Sequence, residues 1–374
     1  MKRIIPLLLA LSLLLCACAA EPVAETTVPP AEATTVPTTV PTTQPTTAPT
    51  TQPTTEPTTE PTTEPVTEPP EEVFRNPLNG TVLEAPYDGR IFAVTINNIS
   101  QAMPHRGVGQ ADLFFEMFVN DYATRGLAMF SDVAQIESIG SIRSTRYNFT
   151  DLCQAFDAVL AHASASDAVL RDMKASGIAN MMADEPIGYR DTHRYKTLDY
   201  AWEHTLFVTG EALVNAAEQR GFELHKPGRD YGMQFAEEAT PAEGLTAQQV
   251  EIIFTLNGCT KTSTMVYDTQ KDAYIYHQFK KEMIDENTNE PEAFRNVIVI
   301  CAPTHNDGSY HVADLSGSGD GWFACGGKMI PIRWNHTGET APFTFTLTDG
   351  APLVQGVGST YVAIVPTGSP VNAS

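Results

Sequence analysis

Arginine dominates the cationic residues in the first half of the sequence. Residues 75–220 contain ten arginines and two lysines, whereas residues 246–374 contain two arginines and five lysines. The guanidinium group presents a rigid fork of donors that fits a carboxylate or a phosphate at two points, while the lysine ammonium is a point charge. The composition therefore favours recognition of an anion by the first half. Ion pairs that simply orient the fold are the alternative.

Two pairs of polar residues occupy places where proteins commonly bind anions. Arg143 and Arg146 lie three residues apart at a predicted helix start, where free backbone N–H groups favour negative charge. His162 and Ser164 lie at the end of a predicted strand, and α/β sheets commonly place ligands at strand ends. The complete set of predicted ligand-binding residues is Arg143, Arg146, His162, Ser164, Arg190, Asp191 and Arg194. His204 follows them in the sequence. We expect these residues to line a shallow cleft for the carboxylate or phosphate group of a wall polymer or a peptide.

No recurrent motif identifies a catalytic site. The sequence contains no HExxH, GxSxG or SxxK pattern and no glycine-rich phosphate loop with a lysine. His162 with Ser164 or Ser166 could imitate a hydrolytic pair, although a strand-end histidine bonded for structure is the plainer interpretation. Four acidic residues could supply the carboxylate pair of a glycoside hydrolase, at separations that the sequence does not give: Glu116, Asp121, Asp184 and Glu185. A hydrolase acting on wall material is kept as the alternative function, with no catalytic residue assigned.

No cofactor or metal ion is expected. His305, Asp307 and His311 carry groups that bind metals, but their spacing matches no recurrent site, and a hairpin tip is the plainer interpretation. The glycine-rich run at residues 316–321 is interpreted as a strand connection rather than a ligand loop. Four cysteines lie beyond the N-terminal region, none in a CxxC pair, and they allow either a disulfide between the last two or free thiols: Cys153, Cys259, Cys301 and Cys325.

The N-terminus carries the features of an export signal. Two basic residues precede an apolar run at residues 4–15, which is too short to span a bilayer core of about 30 Å and is typical of a secretory signal. The tetrad LCAC at residues 15–18 resembles a bacterial lipobox, in which Cys18 would receive the lipid, such as palmitate. We therefore predict a signal peptide at residues 1–17 and a lipid anchor on Cys18. This anchor would hold the protein on the extracytoplasmic face of the cell membrane.

A threonine- and proline-rich segment follows the predicted lipid site. From residue 34 the chain repeats tetrads such as TTVP, TTQP and TTEP, ending at Pro69. Proline at every fourth residue removes backbone donors and disfavours helix, and the segment has little apolar surface to bury. Residues 18–72 are therefore predicted to be a disordered tether that carries no chemistry.

The remaining chain is predicted to form two domains of an α+β protein. Residues 73–234 alternate strands and helices, which predicts an α/β domain with a mixed sheet. Residues 235–248 are rich in Ala, Glu, Thr and Pro and are predicted to be a linker. Residues 249–374 contain many short strands separated by turn signals, which predicts a β-rich antiparallel domain.

The net charge argues against one class of partner. The formal net charge is −22 at pH 7, and most of it falls on the predicted folded part. A body that acidic repels nucleic-acid phosphates at long range. We therefore expect no nucleic-acid partner.

Five short motifs carry a resemblance to a known family. They are IGSIRSTR at residues 139–146, AHASAS at 161–166, YRD at 189–191, LSGSGDGW at 315–322 and GSTYVAIVP at 358–366. Together they resemble the bacterial YerB-type lipoproteins. That family is built from an N-terminal and a C-terminal domain of uncharacterised function behind a lipoprotein signal. The resemblance therefore implies an architecture and a location but no reaction.

These observations predict a lipid-anchored protein of the cell envelope with a binding or accessory function. The arginine-rich first domain is the predicted recognition surface for an anionic ligand. The predicted partners are the membrane, through the lipid anchor, and a cell-wall polymer or an envelope protein.

Overall fold

The computed structural model describes residues 73–308 and 310–374. The predicted signal peptide, the predicted lipid site Cys18 and the predicted tether up to residue 72 lie outside the described residues. None of the helices within the described part is both long and apolar enough to cross a membrane.

The first half of the described chain contains strands and all four α-helices. The helices are α1 (Tyr147–Ala155), α2 (Asp167–Ser176), α3 (Thr192–Lys196) and α4 (Gly210–Gln219), with short 3-10 turns at Ser100–Ala102 and Trp202–His204. The strands are β1 (Phe74–Arg75), β2 (Val82–Leu83), β3 (Phe92–Asn98), β4 (Leu113–Asn120), β5 (Ala123–Phe130), β6 (Ile139–Gly140), β7 (Val159–His162), β8 (Asn180–Met182), β9 (Gly188–Arg190), β10 (Leu206–Val208) and β11 (Gln234–Ala236).

Local signals account for the ends of helix α2. The side chain of Ser166 accepts a hydrogen bond from the N–H of Val169, which satisfies one of the free donors of the first turn. Gly177 follows the last turn with a φ of 69°, a left-handed conformation that favours glycine. Both ends of α2 are therefore determined by residues that are close in sequence.

The regular elements of the second half are strands. They are β12 (Leu245–Thr246), β13 (Gln249–Leu256), β14 (Cys259–Asp268), β15 (Ala273–Gln278), β16 (Lys281–Glu282), β17 (Ile284–Asp285), β18 (Glu290–Pro291), β19 (Ala293–Phe294), β20 (Asn296–Ala302), β21 (Thr304–Asp307), β22 (Tyr310–Ala313), β23 (Gly317–Cys325), β24 (Lys328–His336), β25 (Thr344–Leu347), β26 (Val354–Gly356), β27 (Thr360–Pro366) and β28 (Val371–Ala373).

An eleven-stranded mixed sheet draws strands from both halves of the chain. Its order is β12-β24-β23-β20-β27-β4-β5-β3-β7-β8, with β25 added beside β24. Strand β27 lies between β20 and β4 and is parallel to both, while β4, β5 and β3 are antiparallel neighbours. Every residue of β3 and β27 is buried, as expected for strands covered on both faces.

A second, antiparallel sheet covers one face of the mixed sheet. Its order is β16-β15-β14-β13-β28, with β19 beside β15. Alternate residues of β4 point to opposite faces, so Phe114 and Phe118 share a core with Phe254 of the second sheet. On the opposite face, Phe115 packs in a core with Phe149 of α1. The mixed sheet is therefore the middle layer of the fold.

The α+β class, with its mixed and antiparallel sheets, is confirmed. Residues 235–248, predicted to be a linker, contain β12 and most of β11, which pair with β24 and β26 respectively. The four cysteines of the described part are free thiols.

Candidate functional site

Backbone hydrogen bonds hold the segment that carries Arg143 between β3 and the end of β7. The N–H of Arg143 donates to the carbonyl oxygen of Thr95 at 3.1 Å, and its own carbonyl accepts from the N–H of Ala163 at 3.0 Å. Two residues further on, the N–H of Thr145 donates to the carbonyl oxygen of Ser164 at 2.8 Å. The predicted residues Arg143 and Ser164 therefore lie on neighbouring segments.

A third arginine, which the sequence analysis did not single out, reaches this segment from the sheet. Arg125 lies in β5, is only 7% exposed, and donates from Nη1 to the carbonyl oxygen of Ser144 at 2.6 Å. Burial lowers the pKa of Arg125 well below its usual value, and the charges of Arg146 and Arg143 lower it further. These three side chains form a group that we call the arginine cluster (Arg125, Arg143 and Arg146).

Little negative charge lies beside the arginine cluster. Nη2 of Arg143 lies 3.4 Å from Oε1 of Glu203, whose side chain is 57% exposed. Within the described residues, no carboxylate forms an ion pair with Arg125 or Arg146, and the Arg146 guanidinium lies 4.0 Å from the ring centre of Tyr310. The buried Nε atoms of Arg143 and Arg146 have no hydrogen-bond partner there. The cluster thus contains donors that the described part of the protein leaves unsatisfied.

Arg190 lies beside the cluster on an aromatic side chain. Its guanidinium is 4.7 Å from the ring centre of Trp202, and its Nη1 donates to the carbonyl oxygen of that residue at 2.8 Å. Burial lowers the pKa of Arg190; Asp184 opposes this shift and the charge of Arg143 adds to it. Arg190 therefore extends the positive region from Arg143 towards Trp202.

His162 and Ser164 do not form a hydrolytic pair in this geometry. His162 is buried, and its Nδ1 lies 3.2 Å from the backbone carbonyl oxygen of Ser164 rather than from the hydroxyl group. Its Nε2 lies 3.4 Å from Oδ1 of Asn180. Burial lowers the pKa of His162, although both of these contacts oppose the shift. The ring is thus held in place beside the cluster, and the exposed Ser164 forms the rim.

Asp191 and Arg194 belong to an ion-pair network with two partners distant in sequence. Asp191 Oδ2 lies 2.8 Å from Nη2 of Arg106, and Glu286 Oε2 lies 2.6 Å from Nε of the same arginine. Arg194 is 1% exposed and donates to Glu286 at 2.5 Å and to the carbonyl oxygen of Pro104 at 2.8 Å. Their charges therefore connect loops of the fold. This arrangement agrees with the alternative interpretation, in which the arginines form ion pairs that orient the fold.

Glu116, a candidate for carboxylate chemistry, is fully buried and surrounded by donors. Its Oε1 accepts from Asn98, Thr124 and Lys261, and its Oε2 accepts from Ser263, Tyr276 and Tyr361. Burial alone would raise the pKa of Glu116, but Lys261 and the hydroxyl donors outweigh it and hold the pKa below its usual value. This ionised carboxylate is fully buried and organises the core.

Within the described residues, the other candidate groups form no ion pair with the arginine cluster. Asp121 is 3.0 Å from Nε2 of His311, while Asp184 and Glu185 are exposed. Across residues 73–308 and 310–374, no three His, Cys, Asp or Glu side chains are arranged to hold a metal ion. A cavity of about 700 Å³ opens between α1 and the β21–β22 hairpin, and its titratable lining residues are Asp151, His305, Asp314, His336 and Glu339.

Fold and site together define an α+β protein with a mixed central sheet and an arginine-rich edge. Residues 78–223 match the N-terminal domain, and residues 252–362 the C-terminal domain, of the family described as "Protein of unknown function (DUF3048)". The chain belongs to this family, which includes the YerB-type proteins.

One relative and one solved structure support this assignment. The Bacillus subtilis (strain 168) protein named "Putative lipoprotein YerB" is 27% identical over 296 residues, which are 78% of this chain and 86% of that protein. The crystal structure of the YerB protein from Bacillus subtilis matches with a TM-score of 0.67 at 24% identity, covering 80% of this chain and 99% of that chain. The structural match shows the shared fold.

Proposed function

We propose that this protein is a lipid-anchored protein of the cell envelope that recognises an anionic ligand through the arginine cluster. The observation that carries the proposal is the grouping of Arg125, Arg143 and Arg146, which among the described residues form one ion pair, with the exposed Glu203. The chain has a net charge of −22, so carboxylates are abundant elsewhere. Three arginines that share one exposed carboxylate fit a ligand that brings its own negative charge.

The N-terminal sequence and the relative support the proposed location. Residues 1–17 have the pattern of a signal peptide, Cys18 stands in the lipid position of a lipobox, and the Bacillus subtilis relative carries the name of a lipoprotein. A lipid on Cys18 would place the folded part outside the membrane, with residues 18–72 as a spacer. The ligand would then be a carboxylate or phosphate group on a wall polymer or an envelope protein.

The energetics favour a bound anion. Burial withdraws water from the guanidinium groups of Arg125 and Arg146, and mutual repulsion adds to this cost. A carboxylate or phosphate placed between them would offset both effects. Charge-assisted hydrogen bonds of this kind contribute about 1.5–3 kcal/mol each.

Titration calorimetry of the full-length chain in detergent, with inorganic phosphate and with acetate, tests this proposal. We expect the double variant Arg143→Gln/Arg146→Gln to bind the preferred anion at least about tenfold more weakly. Glu203→Gln should bind it more tightly than the wild type, because this change removes the carboxylate that competes for Arg143.

The matched control is the double variant Arg171→Gln/Lys174→Gln. Arg171 and Lys174 are both exposed in α2, so these substitutions remove two positive charges outside the cluster. If the cluster variant and this control weaken binding equally, general charge rather than the cluster attracts the anion, and the proposal is wrong. Failure of the wild type to bind either anion would also contradict it.

A further inference from the structure

Exposed apolar side chains are concentrated next to the arginine cluster. Four large ones lie within a short stretch of chain: Tyr189 at 37%, Tyr195 at 43%, Leu198 at 50% and Trp202 at 51% exposure. Single exposed apolar residues need no explanation, but a group of them, aromatic residues above all, marks a binding surface. This group lies in the segment that also carries Arg190.

Two of these rings are in direct contact. The centres of Tyr195 and Trp202 are 5.1 Å apart, with the rings nearly perpendicular at 77°. We call this pair the aromatic shelf (Tyr195 and Trp202). Its two ring planes form an open corner that presents apolar surface to solvent.

Hydrogen bonds of α3 and of the neighbouring Tyr200 hold the aromatic shelf in place. Tyr195 lies in α3, whose start is capped by Asp191 and whose buried Arg194 donates to the carbonyl oxygens of Ala102 and Pro104. The hydroxyl group of Tyr200 donates to the carbonyl oxygen of Met103 at 2.5 Å. The ion-pair network of Asp191 and Arg194 therefore matters for binding. It fixes helix α3, which carries Tyr195 of the aromatic shelf, without contacting a ligand itself.

The shelf is continuous with the arginine cluster. Arg190 lies over Trp202 at 4.7 Å, and Glu203, the next residue after Trp202, pairs with Arg143 at 3.4 Å. Arg190 thus covers one face of the Trp202 ring, and a ligand on the exposed surface of this ring lies close to the guanidinium groups of Arg190 and Arg143. The two surfaces form one composite site with an apolar part and a cationic part.

We propose that this composite site binds an acidic saccharide, with a sugar ring on the aromatic shelf and its carboxylate or phosphate group at the arginine cluster. This inference rests on the proposed function and names its ligand class. A pyranose has one face of C–H groups that packs on an aromatic ring, and its hydroxyl groups stay in water. The charge that it carries complements the cationic part. A nucleic-acid strand fits less well, because most of its phosphates would lie outside the arginine cluster, against a chain of net charge −22.

Paired probes separate the contribution of the sugar from that of the charge. The full-length chain is titrated with N-acetylglucosamine 1-phosphate against inorganic phosphate, and with glucuronic acid against acetate. We expect at least one sugar probe to bind about tenfold more tightly than its sugar-free anion, the size of effect that one aromatic contact gives. Trp202→Ala should remove this gain, so that a sugar probe and its sugar-free anion bind with about equal affinity.

Tyr122→Ala is the matched control, since Tyr122 is 86% exposed in the turn between β4 and β5. It should keep the full gain from the sugar. Tyr195→Phe, which keeps the ring, should also keep it, and this separates loss of the shelf from loss of folding. The melting temperature of each variant without ligand checks that the fold is intact.

The outcomes distinguish the two proposals. Equal affinity for sugar probes and plain anions, or a gain that survives Trp202→Ala, would overturn the aromatic shelf and leave the anion site standing. Tighter binding of a hexaglutamate peptide than of any sugar probe would overturn the saccharide in favour of an acidic peptide. Failure of every probe to bind would overturn both proposals.

Discussion

At the scale of single residues, Glu116 illustrates how a charge is kept inside this core. Three donors from different strands surround each oxygen of its carboxylate, and Lys261 supplies the opposite charge. A buried pair of this kind contributes little compared with an apolar pair, but removal of one partner leaves the other unpaired and is strongly destabilising. The network therefore fixes which strands meet, because no other arrangement satisfies all of its members.

Glu116→Gln should destabilise the protein by about 3–5 kcal/mol. The amide group would turn two hydrogens towards existing donors and would leave the Lys261 ammonium without its counter-charge. Urea unfolding at pH 7 measures the free energy of unfolding. Glu282→Gln is the control, because the side chain of Glu282 is 45% exposed and lies 3.8 Å from His277. A loss below about 1 kcal/mol for Glu116→Gln would contradict this account of the network.

Asp151 gives a second residue-scale prediction, because its environment opposes ionisation. Burial, followed by the charge of Asp172, raises the pKa of Asp151 to about 7, while Asn148 opposes the shift and Glu339 and Asp314 add to it. The folded state thus binds a proton more tightly than the unfolded chain. The stability that this carboxyl group contributes is fully present below about pH 4 and is lost as the pH rises through about 7.

Asp151→Asn should therefore be more stable than the wild type at pH 8, by on the order of 2 kcal/mol, and close to it at pH 4. Urea unfolding at both pH values measures the difference. Asp320→Asn is the control, since Asp320 lies in an exposed pair with Arg333, and its substitution should change stability by less than about 1 kcal/mol at both pH values. Parallel stability profiles for wild type and Asp151→Asn would show that this carboxyl group is not perturbed.

Sequence spacing predicted part of the candidate site and missed the rest for physical reasons. Arg143 and Arg146 are close in sequence, so a local pattern could group them. Arg125 reaches them only because β5 pairs with β3, and nothing in its own neighbourhood indicates this pairing. Asp191 and Arg194 looked like ligand residues because their partners Arg106 and Glu286 are distant in sequence. Trp202 carried no signal beyond its residue type.

At the scale of secondary structure, the glycines of β23 show why a glycine-rich run need not be a loop. The run at residues 316–321 was predicted to be a strand connection, and residues 317–321 begin strand β23 itself. A Cβ atom on Gly319 would lie 2.6 Å from Nε1 of Trp334, and one on Gly321 would lie 2.3 Å from the carbonyl oxygen of Val299. The missing side chains let neighbouring groups approach the strand closely.

Gly319→Ala should destabilise the protein by about 1–3 kcal/mol, because the added methyl group overlaps the buried indole of Trp334. Thermal and urea unfolding measure the loss. Ser318→Ala, at the neighbouring exposed position of the same strand, should change stability by less than about 0.5 kcal/mol. Equal stability of both variants would mean that the indole can move aside at no cost.

Many individual elements could be predicted from local patterns. The apolar run of β3 and the cap and glycine of α2 are each determined by a few neighbouring residues. The order of strands could not be predicted in this way. The parallel pairing of β27 with β4 joins residues from opposite ends of the described chain, and its only sequence signal is that both strands are apolar.

At the scale of the whole molecule, the mixed sheet bears on the predicted division into two domains. The family domains match one after the other along the sequence, yet β27 and β20 from the second continue the sheet that begins in the first. The aromatic rings of Phe114, Phe294 and Tyr361 pack together across the same junction. Much of the buried surface of each half therefore depends on the other half.

Residues 73–234 produced alone should not fold cooperatively, because β4 would lose its parallel partner and expose an apolar edge. Co-production with residues 235–374 should restore a soluble complex of the two fragments. Gel filtration and thermal melting by circular dichroism check both expectations. A sharp melting transition for residues 73–234 alone would instead support two independently folding domains.

The position of β27 has a consequence for the order of events during protein synthesis. The ribosome releases β4 long before β27, the strand that lies beside it, so the sheet cannot close until β27 has emerged. Until then the nascent chain displays an unpaired apolar strand that a chaperone can hold. A premature stop codon just before Thr360 would likewise remove β27, which lies in the middle of the sheet, rather than an edge strand.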